Sequence, residues 1–595
     1  MIKFPYGNAD FYKIITQNYF YVDRTNKIEL LEDAGDVLLF LRPRRFGKSL
    51  LLSMLENYYD VNKADEFERL FGHLAIGQDP TPLHNQYLIL KWNFSEIDAQ
   101  GDVEEIKQAL HDHINGSIKD FVSRYQTLLS YQVEINPTNA VASLASILTA
   151  VNMTPYKIYL LIDEYDNFAN EVLMAGQSSS QTRYETLIQG EGMLKILFKV
   201  VKSGTEGRGI DRVFITGVSP VVMSDMTSGF NIATNIYLEP DFNDMCGFWE
   251  HEVAEALQQI ATKCQFSTEQ VDEALHMMRT FYNGYSFTYE TEPLIYNPTL
   301  SIYFMRSFQR HCKYPRQMLD HNMAMDRNKI AYVSQLPYGE TVISQALNDT
   351  DSLVISALAD RFGVKEMLRQ SHDRTFMVSL LYYFGVLTLS ESLTAQGKLI
   401  LHIPNLVIRK LYVERIQEML LPGFTIRDEA ERVVEHFYQS GDIQPLCDFM
   451  TQKYFKVFDN RDYRWANELT IKTAFLTMLF NDTFYIMDSE TSLQRDYADL
   501  TMIIRPDMRR FQLLDFLLEF KYIELGKHNL TGEQVRAMSV EELNALKLVK
   551  QALKDSKTKL TRYRTTLQST YGSKLRLRTY SVVAVGFDRL VWIEI

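Results

Sequence analysis

The run Val37-Leu38-Leu39-Phe40-Leu41-Arg42-Pro43-Arg44-Arg45-Phe46-Gly47-Lys48-Ser49 constrains this 595-residue chain more than any other stretch. An apolar strand enters a tight basic turn, closes on Gly-Lys-Ser, and passes into the helical pattern Leu50-Leu51-Leu52-Ser53-Met54-Leu55. Such a strand–loop–helix junction cradles phosphate. Backbone N–H groups of the turn and the helix start bind the oxygens, the lysine reaches the β- and γ-phosphates, and the serine hydroxyl holds Mg2+. The usual pattern opens with glycine, and here that position is Arg42. Gly47, Lys48 and Ser49 become candidate nucleotide ligands, with Arg44 and Arg45 placed to contact phosphate or to act between subunits.

A second strand supports this. Lys157-Ile158-Tyr159-Leu160-Leu161-Ile162-Asp163-Glu164-Tyr165-Asp166 is a near-continuous apolar run ending in acids. That pattern belongs to a strand buried on both faces of a parallel sheet, with carboxylates at its C-terminal tip, where open α/β sheets bind nucleotides. There Asp163 would hold the Mg2+ shell and Glu164 would polarise the attacking water. Taken alone, the two acids fit a strand followed by a solvated turn equally well. A third run, Arg212-Val213-Phe214-Ile215-Thr216-Gly217-Val218-Ser219-Pro220, also ends in small polar residues, and Thr216 or Ser219 could sense the γ-phosphate. A plain strand-end turn accounts for either residue as well.

The rest of the first block alternates strands (87–94 and 235–239) with longer helical patterns (102–130 and 184–202), which predicts a parallel sheet covered on both faces. From about residue 246 helix follows helix. Residues 375–410 read as a helix and two short strands, either a winged-helix-like module or a helix packed on a hairpin. A net charge of −13 argues against a generic polyanion binder, so any nucleic-acid contact needs local basic patches. The four cysteines, Cys246, Cys264, Cys312 and Cys447, are widely separated and form no C-x-x-C pair. This predicts neither a zinc ribbon nor a disulfide scaffold and fits a reducing compartment. The N-terminus has no apolar leader and no stretch reaches 18 apolar residues, so a soluble cytoplasmic protein without membrane contact is expected.

A second constellation lies near the C-terminus. Tyr497 to Ile504 and Phe511 to Lys521 read as a hairpin centred near residue 509, which sets Asp499 opposite Glu519. The period of two puts Glu519 and Lys521 on one face. Two carboxylates and a lysine then converge, a set able to hold Mg2+ or Mn2+ and to activate the water that attacks a phosphodiester. A solvated ion pair is the plainer account of Glu-x-Lys at a strand end. Against it, Asp499 interrupts an apolar strand and Glu519 follows Phe516-Leu517-Leu518, where unpaired carboxylates are costly. Trp465 to Phe475 reads as an amphipathic helix offering Glu468 as a further acid. Lys547 to Arg578 carries ten cations with Tyr563 and Tyr571 interleaved, either tracking a phosphate backbone or forming a solvated helix face.

At this point the chain resembles the bacterial AAA-ATPase-like proteins that carry a C-terminal PD-(D/E)XK nuclease-superfamily domain. The matching pieces are Phe4-Pro5-Tyr6-Gly7, Tyr21-Val22-Asp23-Arg24-Thr25, Arg42 to Ser49, Asp163 to Asp166 and Ile215 to Pro220, then Tyr282-Asn283-Gly284-Tyr285, Tyr296-Asn297-Pro298 and Ile403-Pro404-Asn405. Arg42 in place of the first glycine is itself common in that family. The resemblance implies an α/β protein in three parts. Residues 1–245 would form a P-loop ATPase sheet, 246–430 a helical lid with the winged-helix-like region, and 431–595 a restriction-endonuclease-like domain. It also implies that Asp499, Glu519 and Lys521, with Glu468, form the nuclease pattern. A Gln or Tyr often follows on the next helix, and Gln551 and Tyr563 both qualify. The function so implied is ATP binding and hydrolysis coupled to metal-dependent cleavage of nucleic acid, DNA before RNA, with no membrane partner and with homo-oligomers allowed. Two other functions stay open: an ATP-driven signalling or DNA-binding switch built on an inactive nuclease fold, and an ATPase using that fold as a scaffold.

Overall fold

The computed structural model describes residues 1–98, 102–167, 192–220, 230–319, 330–334, 339–347, 353–359, 362, 374–421, 423–458, 468–488, 491–493 and 496–595. The chain divides into two compact units. The first comprises Met1–Cys312, Tyr332–Gly339 and Val354–Leu401, and the second Lys313–Ala331, Glu340–Leu353 and His402–Ile595.

Strands β1 (Val37–Leu41), β2 (Tyr87–Asn93), β3 (Lys157–Asp163), β4 (Ile210–Gly217) and β5 (Thr234–Asn235) form the first unit's main sheet, in the order β2-β3-β4-β1-β5. Every pairing is parallel. All five residues of β1 and six of the seven in β3 are buried, as expected of strands covered on both faces. The expected strand at 235–239 shortens to two residues because the chain turns at Tyr237 to meet Arg42. The helix expected over 102–130 ends at Arg124, where Tyr125 leaves helical geometry and its hydroxyl donates to the buried Asp60. Of the helix expected over 184–202, residues 184–191 lie outside the described residues, and Met193–Thr205 is helical.

Helix α1 (Lys48–Tyr59) follows β1 directly. Further along come α2 (Glu250–Cys264) and α3 (Pro298–His311). The cysteine expectation needs correction here. Cys264 ends α2, Cys312 caps α3, and the two form a disulfide with Cα atoms 5.5 Å apart. Side-by-side packing of two helix ends 48 residues apart in sequence leaves no local spacing signature. In the 375–410 region the helix Arg374–Tyr383 precedes strands β7 (Thr388–Leu393) and β8 (Leu399–His402). A third strand, β6 (Leu353–Ile355), lies against β8, giving the order β6-β8-β7.

The second unit is built on a mixed sheet of β9 (Tyr485–Asp488), β12 (Leu500–Ile504), β13 (Asp515–Ile523), β14 (Leu577–Val585) and β15 (Arg589–Glu594), ordered β15-β14-β13-β12-β9. A small separate ribbon pairs β10 (Thr491–Leu493) with β11 (Asp496–Ala498). β12 runs antiparallel to β9 and β13, whereas β13 and β14 are parallel and joined through the 25-residue helix α5 (Lys547–Tyr571). Helix α4 (Glu468–Leu479) packs Phe475 on Phe520 of β13, their ring centroids 4.8 Å apart. One sheet face buries Phe516, Leu518 and Phe520. Leu517 faces the other way, against Leu560 and Tyr563 of α5.

Candidate functional site

The phosphate-loop candidates gather at the C-terminal ends of β1, β3 and β4. Arg42 does not join them. It is 1% exposed, and its guanidinium donates to the carbonyls of Leu41, Tyr237 and Phe242 at 2.6–2.8 Å. It also lies between the rings of Phe40 and Phe287, 4.4 and 4.1 Å from their centroids. Burial among carbonyls and rings pushes its pKa down to about 10. Arginine at the first loop position is therefore a staple from β1 to the chain beyond β5, and it needs no glycine conformation. The left-handed positions of the loop are Arg45 (φ 68°) and Gly47 (φ 99°), and at the second a side chain would be strained.

Other conspicuous motif residues hold this loop in place. Phe46 is buried against Tyr285 and Phe287, with centroids 4.8 and 5.2 Å away, and the Thr299 hydroxyl donates to the Arg45 carbonyl at 2.7 Å. The Tyr282-to-Tyr285 and Asn297-Pro298 neighbourhoods thus buttress the phosphate loop. Arg44 donates to the Asn167 side chain. The Lys48 ammonium, buried, donates to the carbonyls of Arg42 and Pro43 at 2.9 and 3.1 Å. Burial lowers its pKa, and the charges of Asp163, Glu164 and Asp166 work against that.

Asp163 is the hub. Its Oδ2 accepts from the Ser49 hydroxyl and its Oδ1 from the Thr216 hydroxyl, each at 2.7 Å. Serine and carboxylate oxygens side by side are hard ligands of the kind Mg2+ takes. Thr216, expected as a phosphate sensor, is tied to this carboxylate. Ser219 is engaged elsewhere: Asp166 accepts from its N–H and hydroxyl and from the Val218 N–H at 2.8–3.0 Å. Gly217 sits where β3 and β4 close up, and a Cβ there would meet the Tyr165 ring at 2.5 Å. Glu164 is in the left-handed region (φ 48°), a costly backbone for a glutamate and one that concentrates at functional sites. Burial raises its pKa against the pull of Lys48 and Arg44.

The C-terminal constellation also comes together, within the second unit. The pairing Leu500↔Leu518 extends to set Asp499 across from Glu519, as the hairpin register predicts. Glu519 is 0% exposed. Its Oε1 lies 3.4 Å from the Lys521 ammonium and 3.1 Å from that of Lys559, and its Oε2 has no hydrogen-bond partner. Lys521 donates to Glu468 at 2.7 Å and to the Phe520 carbonyl at 2.8 Å. Asp499 accepts from the Phe520 N–H at 2.8 Å, which fixes it against β13. Burial, then the charge of Asp499, raises the Glu519 pKa although both lysines pull it down. Burial opposes the charge of Lys521, yet Glu468, Glu519 and Asp499 together raise its pKa.

Glu468 opens α4, and residues 465–467 of the expected helix lie outside the described residues. Of the two helix residues expected beside this site, Gln551 bonds Asp555, whereas Tyr563 is buried against the sheet within electrostatic reach of Lys559. Lys559 of α5, a residue that sequence reasoning counted only among the basic stretch, also reaches Glu519. Its one signal was its position beside Leu560 on the sheet-facing edge of an amphipathic helix. Among the described residues no group of three or more His, Cys, Asp or Glu side chains is arranged to hold a metal ion, so Asp499 and Glu519 are two candidate ligands and no more. Among the described residues no helix is long and apolar enough to cross a membrane.

An uncharacterized protein from the vnfD 5′ region of Azotobacter chroococcum mcd 1 is 23% identical over 566 residues, covering 91% of this chain and 96% of that protein. Among solved structures, the Aeropyrum pernix ORC1 protein in complex with DNA matches 68% of this chain and 96% of its own, at 10% identity and a TM-score of 0.23, too low to indicate a shared fold. Residues 5–227, which carry the parallel sheet and the Lys48 loop, match the AAA-ATPase-like family, described as predicted AAA-ATPase.

Proposed function

We propose that the chain binds and hydrolyses ATP in its first unit and cleaves nucleic acid, DNA in the first instance, in its second. The ATP half is supported by Lys48, Ser49, Asp163 and Thr216 meeting at the tips of three parallel strands, and by the family match over residues 5–227. Gly47 and the α1 N-terminus would bind the phosphates through backbone N–H groups. Lys48 would exchange its loop carbonyls for phosphate oxygens, and Arg44 and Arg45 lie beside it. Glu164, its carboxyl pKa raised by burial, would accept a proton from the attacking water. Ser49 and Asp163 are the residues that would hold Mg2+ with the nucleotide.

The observation that carries the nuclease half is Glu519: a carboxylate with no exposure, one oxygen lacking any hydrogen bond, facing Asp499 and flanked by lysines. Burying such a group costs stability, and folds accept that cost mainly where chemistry needs it. The orphaned oxygen fits a divalent cation. Mg2+ or Mn2+ held by Asp499 and Glu519 would supply Lewis-acid charge and lower the pKa of a bound water. Lys521, kept protonated by its three acids, would orient the water or the scissile phosphate, and Glu468 would hold Lys521 in place. Hydrolysis needs only water: one P–O ester bond breaks, and a phosphate and a hydroxyl end are left.

The test compares wild type with Lys48→Ala and Lys521→Ala on linear, circular and single-stranded DNA and on RNA. Each substrate is incubated with Mg2+ or Mn2+, with and without ATP, and ATP turnover is followed alongside. Metal-dependent cutting that disappears in Lys521→Ala is the expected result, and its fate in Lys48→Ala reads the control by ATP. Undiminished ATP hydrolysis with no cutting of any substrate would replace this reading by a switch that uses an inactive nuclease fold for recognition.

A further inference from the structure

The ammonium of Lys559 occupies one oxygen of Glu519, Oε1, while the other, Oε2, has no hydrogen-bond partner. Glu519 is 0% exposed, whereas the Lys559 side chain is 46% exposed and still reaches Oε1 at 3.1 Å. This lysine therefore spans from solvent to a buried carboxylate. Lys521 cannot fill the same role, since its ammonium is committed to Glu468 and to the Phe520 carbonyl and lies farther from Glu519, at 3.4 Å. The two lysines also differ in their supports. Lys521 stands on β13 within the sheet, and Lys559 projects from α5, whose sheet-facing residues Ser556, Leu560 and Tyr563 anchor the helix itself. A long, half-exposed side chain on a fixed helix can leave its partner without any backbone change.

We infer that Lys559 is a built-in competitor of the divalent cation at Glu519, released when the phosphate backbone of a bound nucleic acid takes over its ammonium. The inference rests on the nuclease reading above and adds a regulatory step to it. In the free protein, a cation entering at Glu519 must displace Lys559 from the carboxylate or share it with a positive charge about 3 Å away, which is repulsive in a poorly solvated site. Once substrate is present, a phosphate oxygen offers the ammonium a charge-assisted hydrogen bond in place of Glu519. Arg562, exposed and one turn along the same helix edge, supports a phosphate arriving there. Metal loading and substrate binding become mutually reinforcing, and the coupling is reciprocal by linkage. A metal centre that fills only on substrate also limits stray hydrolysis.

Mn2+ binding to the full chain tests this, read by titration calorimetry without nucleotide. Every protein carries Asp163→Asn so that the Lys48 loop contributes no metal site. Lys559→Met should bind Mn2+ up to about fivefold more tightly than its parent, the change expected from removing one partly exposed competing charge. A hydrolysis-resistant phosphorothioate duplex should tighten Mn2+ binding in the parent by a similar factor and leave Lys559→Met nearly unchanged. Glu519→Gln should lose the site. If Glu519→Gln loses Mn2+ while Lys559→Met binds it no better than the parent, Lys559 is not a competitor and the metal reading stands. If Glu519→Gln binds Mn2+ unchanged, the cation is not held there and both ideas fall. Far-ultraviolet circular dichroism confirms that each variant is folded.

Discussion

Asp163 accepts one hydroxyl on each of its oxygens, so its rotation is fixed by Ser49 on one side and Thr216 on the other. If Asp163 holds Mg2+ as proposed, removing a supporting partner should lower activity, typically by about 10–100-fold. Thr216→Val keeps the shape and deletes the bond. Its expected outcome is an ATP turnover lower by roughly that factor, with nucleotide affinity nearly unchanged. Turnover equal to wild type would release Thr216 from this positioning role. Glu519 invites a different measurement. Its pKa is raised on folding, so the native state holds that proton more tightly than the unfolded chain does. By linkage, its contribution to stability declines as pH climbs from the ordinary carboxyl value of about 4.3 through the raised native value, because ionising it in the folded state is a net cost. Glu519→Gln should therefore melt higher than wild type at pH 7.5, by about 2–4 °C if the cost is near 1 kcal/mol. The gap should close as pH falls to about 4. A variant less stable than wild type at pH 7.5 would show that the lysines more than repay the burial.

At the scale of elements, the regular strands were legible and the crossings between elements were not. β1, β3 and the β12–β13 hairpin follow directly from apolar runs and a period of two, down to the Asp499–Glu519 register. Arg42 looked like a defect in the loop because its partners, Tyr237 and Phe242, lie about 200 residues away in sequence. Lys559 was invisible for the same reason, since a helix and a strand 40 residues apart must be packed before their side chains can be paired. The Cys264–Cys312 disulfide is a third case, and it is testable. It closes a 48-residue separation between the ends of α2 and α3, which on the loop-entropy account is worth about 4 kcal/mol. Dithiothreitol, or Cys264→Ser with Cys312→Ser, should lower the melting temperature of the first unit. Non-reducing mass spectrometry should find the Cys264 and Cys312 peptides joined. Two free thiols at these positions in protein purified without reductant would contradict the pairing.

For the whole molecule, charge distribution decides where a polyanion can settle. The chain carries 62 basic against 75 acidic residues, a net −13 that repels nucleic acid from most of its surface. Helix α5 is the local exception: Lys547, Lys550, Lys554, Lys557, Lys559 and Arg562 are all exposed on it. Lys550, Lys554 and Lys557 recur at i, i+4 and i+7, so they share one face of the helix. Lys559 lies on another edge, against Glu519. If the nuclease reading holds, the three aligned lysines carry affinity, and Lys559 links that affinity to the metal. Each phosphate contact lowers the logarithm of the binding constant by about 0.9 per tenfold rise in salt on duplex DNA. Replacing Lys550, Lys554 and Lys557 by Gln should therefore weaken duplex binding at low salt and flatten the salt dependence by about 3 in slope. ATP turnover without DNA should not change, because the Lys48 site stands in the other unit. An unaltered slope would remove α5 from the binding surface, and with it the route by which substrate reaches Lys559.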